Sequence, residues 1–93
     1  MIRTKTFDQD LIIDANNKVT VSNYEVIHIN LNSFTLTINC DQGLSFINVG
    51  QAYIMNGTIK MNIKAQNNSL FSDGIWKVDS NVIFDDVEFK RIF

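Results

Sequence analysis

Proline is absent from this chain. No ring therefore fixes φ at a turn, and no missing N–H interrupts a ladder of backbone hydrogen bonds. Cysteine occurs once, at Cys40, so an internal disulfide is excluded. That fits a reducing compartment, or a particle assembled in one, and argues against a small disulfide-stapled secreted scaffold. Cys40 shares the apolar side of its local pattern, where a buried inert thiol is expected and no His context supports a nucleophile. Charge of either sign is sparse, and the net value of −2 leaves no basic field. Neither direct nucleic-acid binding nor membrane attachment is expected from that balance. No apolar run approaches the roughly 20 residues of a membrane helix. The opening MIRTKTFDQD has no apolar stretch of the signal-peptide kind, so none is expected.

Hydrophobic residues make up 45% of the 93, enough for one small folded domain and too many for a disordered chain. The margin of stability in so short a chain is thin. Four glycines are outnumbered by a wealth of asparagine. Asparagine tolerates the left-handed conformation and hydrogen-bonds to nearby backbone, which suits short strands joined by tight turns.

The stretch Val26 to Ile63 carries the clearest pattern. Ile27, Ile29 and Leu31 alternate with polar residues, as do Phe34, Leu36, Ile38 and Cys40, and then Ile59, Met61 and Ile63. Alternation with a period of two marks strands with one buried face. Asn32-Ser33, Asp41-Gln42-Gly43 and Asn56-Gly57 are read as breaks between the runs. Earlier in the chain, Leu11-Ile12-Ile13 and Lys18-Val19-Thr20-Val21 flank a turn at Asp14-Ala15-Asn16-Asn17. Later, KAQNNS (64–69) reads as a loop, Leu70-Phe71 as a return to apolar character, and Ser72-Asp73-Gly74 as another turn. Ile75 to Val78, Val82 to Phe84 and Val87 to Phe89 follow as three more strands. No stretch sustains a helical period.

Eight to ten strands of roughly three to six residues are too many and too short for an ordinary sandwich of this length. Only Asn56-Gly57 is a strong hairpin signal. The expected fold is all-β, a short right-handed parallel β-solenoid of about three coils, with an antiparallel sandwich or barrel as the alternative. Internal matches favour the solenoid. Phe34 to Cys40 recurs as Gly57 to Ile63 at an offset of 23; Ile59 and Met61 recur as Val87 and Phe89 at 28; Tyr53-Ile54-Met55 recurs as Val82-Ile83-Phe84 at 29. On these offsets Ile38, Met61 and Phe89 belong to one inward stack. Residues 1–23 are expected to form an N-terminal cap or first strands, and 24–93 the coils, within a single domain.

LNSFTLTI (31–38), GLSFINVGQAYIMNGTIKM (43–61) and NVIFDDVEF (81–89) together resemble the right-handed parallel β-helix of the pectate-lyase-like superfamily. Phage tailspikes and appendages share that fold. The likeness spans residues 24–93 and speaks to fold more than to function, since the same coils serve lyases, hydrolases and structural fibres. It implies a non-catalytic structural or binding module of a phage tailspike, appendage or small particle protein, residing in the virion or the host cytoplasm. A second reading is a small phage-encoded inhibitor of a host defence nuclease, anti-CRISPR-like in acting by protein–protein binding. A polysaccharide lyase or hydrolase fragment is the third.

Enzymes of the superfamily use clustered acids on one sheet, and Asp73, Asp79, Asp85, Asp86 and Glu88 crowd the last part of this chain. Paired carboxylates could serve glycoside hydrolysis. Asp85-Asp86 superficially resembles the polygalacturonase pair, but that family's Gly-rich and His motifs are missing, and neighbours in a strand face opposite ways. These acids are read as surface and corner residues. No catalytic residue, metal site or cofactor is expected, and no calcium-loop spacing is present. His28 alternates with Ile27 and Ile29 and should point outward. Asn56-Gly57-Thr58 and Asn67-Asn68-Ser69 match a glycosylation sequon; with no signal peptide expected, the match is read as chance.

Phe34, Phe46, Phe84 and Phe89 suit core positions. In Ile75-Trp76-Lys77-Val78, an inward Val78 takes Trp76 with it into the core; exposed, Trp76 would be a binding hot spot. Val87, Phe89, Ile92 and Phe93 leave the last edge apolar. That end is expected to continue into more protein or to dock a partner. Trp76, Val87, Phe89, Ile92 and Phe93 are the candidate interface, with a protein partner or self-association as a homo-oligomer expected.

Overall fold

The computed structural model describes residues 2–61 and 74–92. The KAQNNS loop, Leu70-Phe71, Ile63, the second sequon, Asp73 and Phe93 lie outside them. The described residues form nine strands and no helix: β1 (Ile2–Thr6), β2 (Leu11–Ile13), β3 (Val19–Ser22), β4 (Val26–Asn30), β5 (Thr35–Ile38), β6 (Leu44–Ile47), β7 (Gln51–Met61), β8 (Ile75–Val78) and β9 (Val82–Arg91). The all-β expectation holds.

Every pairing among these strands is parallel. The antiparallel alternative is thereby overturned, and Asn56-Gly57 makes no hairpin. Parallel pairing needs a long connection between partners. β1 pairs with β4, β2 with β5 and β3 with β6, so two strands intervene before the chain returns to each neighbour. β4 and β5 then both pair with β7, β6 pairs with β8, and β9 runs along β7. β3, β6 and β8 form a sheet of their own.

β7 and β9 each join two runs that the sequence reading kept separate. Asn56 (φ 63°) and Asp86 (φ 57°) lie inside these strands as left-handed single residues. Each turns its strand without ending it. Residues 51–55 of β7 then serve β4, and residues 58–61 serve β5. The larger sheet is thus folded along that line.

Left-handed residues line up at a second edge as well. Asn23 (φ 64°), Asn48 (φ 55°) and Asp79 (φ 49°) follow β3, β6 and β8. The Asn23 N–H donates to the Ile47 carbonyl, and the Asn48 N–H to that of Val78. The Asn48 Nδ2 amide donates to Asn23 Oδ1 at 3.1 Å, tying the turns together through their side chains. Asn30 Oδ1 similarly accepts from the Asn32 backbone N–H and from Asn56 Nδ2. Asparagine pays little for a positive φ and brings its own donor and acceptor, which explains its abundance here.

Inside, residues in register stack in rows. Ile27, Ala52 and Val82 form one, and Ile29, Ile54 and Phe84 another. Leu11, Leu36, Ile59 and Phe89 form a third; Ile13, Ile38, Met61 and Arg91 a fourth. Val19, Leu44 and Ile75 make the fifth, and Val21, Phe46 and Lys77 the sixth. Ile54, Ile59, Met61 and Phe46 are fully buried. The predicted offset of 23 between the second and third runs is the observed register, Thr35 opposite Thr58. The offsets of 28 and 29 are not: Ile59 opposes Phe89 and Tyr53 opposes Ile83, both at 30. Phe89 therefore caps Leu36 and Ile59, not Ile38 and Met61. Residues 2–22, expected as cap or first strands, pair strand for strand with residues 26–47.

Some backbones approach so closely that only glycine fits. A Cβ on Gly50 would lie 2.4 Å from the Glu25 carbonyl oxygen, and that backbone cannot yield as a side chain could.

Two sets of variants test this arrangement by thermal melting. Ile38→Asp and Met61→Asp should each unfold the protein, because an unpaired charge in a buried row costs several kcal/mol out of roughly 5–15. Lys60→Asp should be tolerated, since Lys60 is exposed and faces Lys90 across the ladder, a like-charge pair. Equal melting of all three would refute the rows. In the second set, Asp79→Asn should extend the amide ladder above Asn48 and stabilise by about 0.5–1 kcal/mol. Gly50→Ala should cost about 1–3 kcal/mol.

Candidate interaction surfaces

β9 forms one end of the stacked strands. Its turn at Asp86 swings the two halves toward each other, and the rings of Phe84 and Phe89 meet edge to face, centroids 4.9 Å apart. Both stay half-buried at the ends of the Ile54 and Ile59 rows, as does Val87 opposite Gly57. Ile92, also half-buried, is held by its N–H on the Met61 carbonyl. Val87 and Phe89 thus share one face of β9, and Ile92 follows the end of that strand. Phe93 lies outside the described residues. Phe84, assigned to the core from sequence, packs against it half-buried and also belongs to this surface.

Trp76 corrects another assignment. In β8 the register puts Ile75 on Leu44 and Lys77 on Phe46, so Ile75 faces in and Trp76 faces out with Ser45 and Thr20. Trp76 is 42% exposed, against 3% for Ile75. A core role for Trp76 is overturned, and the hot-spot alternative is the one compatible with its position.

The inward rows end in charges that sequence reasoning passed over. Lys77 tops the Phe46 row and Arg91 the Met61 row. Both are exposed. Their signal was legible only once register was known.

The acids do not converge. Asp79 and Asp86 occupy the left-handed turns, Asp85 lies in register with Met55, and Glu88 with Thr58. All four are exposed, and Asp73 lies outside the described residues. Among the described residues no group of three or more His, Cys, Asp or Glu could hold a metal ion. Glu88 meets Lys90 at 3.9 Å, a pair so exposed that it contributes little. Asp86 and Glu88 border an open polar groove of about 560 Å³ with Asn30, Asn56 and Thr58. His28 points outward as expected and packs edge to face on Tyr53, 5.0 Å between centroids. Cys40 is half-buried and free.

No protein family, curated protein or solved structure matches this chain. Its function therefore has to be read from the surfaces themselves.

The turn geometry predicts how Asp86 responds to substitution. Asp86→Asn should leave the melting temperature unchanged, with or without calcium, because asparagine accepts the same φ. Asp86→Val should lower it, since a β-branched residue is strained there. A calcium-dependent rise in the parent protein would instead identify the acids as a cation site.

Proposed function

We propose that this chain is a non-catalytic protein-binding module built on a short right-handed parallel β-solenoid of about three coils. Support for the solenoid comes from the return of each strand onto an earlier one at spacings of 23 to 31 residues. Support for kinship with the pectate-lyase-like β-helices, and so for a phage tailspike, appendage or particle role, comes from the sequence motifs alone.

The observation that carries a binding role is the half-exposed Phe84–Phe89 pair, with Val87 between them in the same strand. Aromatic anchors of this kind dominate protein interfaces. Lys77 and Arg91 shape how the end docks. Another strand layered in register would bury both, and inward-pointing charges protect edges from strand addition. Docking through side chains, onto an apolar patch with acidic neighbours, suits this end better.

Self-association gains less support from the same pattern. Arg3 and Lys5 in β1 are in register with Ile27 and Ile29, so the opposite end is basic too. Copies stacked end to end would set like charges together. We therefore favour a different protein as the partner, as a structural module or an inhibitor would both require, with the structural role preferred.

A photo-crosslinking residue at position 92 should capture a protein in cells of the native source, and one at position 60 should not. Arg91→Glu should abolish capture without changing the melt. Light scattering at micromolar concentration should show a monomer. Capture from both positions, or capture indifferent to Arg91→Glu, would remove the case for this end. An oligomer dissolved by Ile92→Lys would make the partner a second copy.

A further inference from the structure

The opposite end, formed by β1, β2 and β3, is hollow. Arg3 and Lys5 head the rows of Ile27 and Ile29, yet both side chains are exposed. The space that apolar residues would fill there is left as a cavity of about 550 Å³. Its wall includes Phe7, Leu11, Val21 and Tyr24, and it reaches Ile54, two strands away from β1. Protein interiors are close-packed, and a void of this size is far larger than a few missing methyl groups. Its volume falls within the range of small-molecule sites.

We propose that this cavity binds a single-chain aliphatic carboxylate, with the chain inside and the carboxylate held by Arg3 and Lys5. The lining decides the class. Arg3 and Lys5 are the only Arg, Lys, Asp or Glu among the described residues around it. Both are cations, so they complement an anionic head and repel a cationic one. Arginine matches a carboxylate with two parallel N–H donors. The interior has little to offer a sugar or other polar ligand. Thr4, Thr6 and Thr20, which also border the cavity, stand in register with the outward His28, Asn30 and Ser45. What faces in is aliphatic or aromatic, which suits an acyl chain. This site lies at the other end from the proposed docking surface and stands independently of it.

Titration calorimetry of the full chain tests the assignment with octanoate, decanoate, dodecanoate and dodecyltrimethylammonium, each below its micellar concentration. One carboxylate should bind per chain. Affinity should rise about fourfold per added methylene while the chain remains within the cavity. The cationic amphiphile should not bind. Arg3→Glu combined with Lys5→Glu should weaken dodecanoate at least tenfold and admit the cation. Both positions are exposed, and an unchanged circular-dichroism melt would confirm that the variant folds. Absence of carboxylate binding would overturn the proposal. So would affinity independent of chain length, equal binding of the cation, or a double-Glu variant that binds dodecanoate as the parent does.

Discussion

The structure depends on repeated sharp turns at matching positions. Parallel neighbours in register can share a buried face only if the chain changes direction at the same place each time it returns. Asn23, Asn48 and Asp79 do this at one edge, and Asn32, Asn56 and Asp86 at another, all with positive φ. A chain without proline achieves these turns through residues whose short polar side chains satisfy nearby backbone. The hydrogen bond that Asn48 Nδ2 donates to Asn23 Oδ1 links one turn to the next, so a turn is stabilised by its neighbours as well as locally.

Given aligned turns, the interior follows from alternation. Six rows of side chains fill the space between the sheets, and the least exposed residues, Ile54, Ile59, Met61 and Phe46, lie in their middle layers. End layers have a neighbour on one side only. There the rows finish in Arg3 and Lys5 on one end and in Lys77 and Arg91 on the other. Such long side chains can leave the row and reach water, which explains how charged residues occupy inward register without being buried. Inward-pointing charges at both ends oppose the addition of a further strand.

The two ends differ in filling. Phe84 and Phe89 close the β9 end with two half-buried rings. The β1 end has no equivalent, because its row-heading positions went to Arg3 and Lys5, and a cavity results.

Alternation alone determined which face most strands bury. Ile27 and Ile29, Leu36 and Ile38, and Ile59 and Met61 face inward as their spacing requires, and the asparagine-rich composition announced tight turns. Tertiary structure decided which residues become neighbours. Shifting Phe89 by two residues preserves its face and changes its row, so an offset of 28 predicted its direction correctly and its companions wrongly. The offset of 29 for Val82 missed by one, which in a strand is the difference between facing Ala52 inside and Tyr53 outside. Trp76 shows the same limit. Hydrophobicity favoured Trp76 and Val78 as the buried pair, but the pairing of Leu44 with Ile75 fixed the opposite face, and Lys77 could accept an inward row because it ends one. Local pattern carries direction because side chains alternate along one strand. Register carries identity of contact because it is set by hydrogen bonds between strands far apart in sequence.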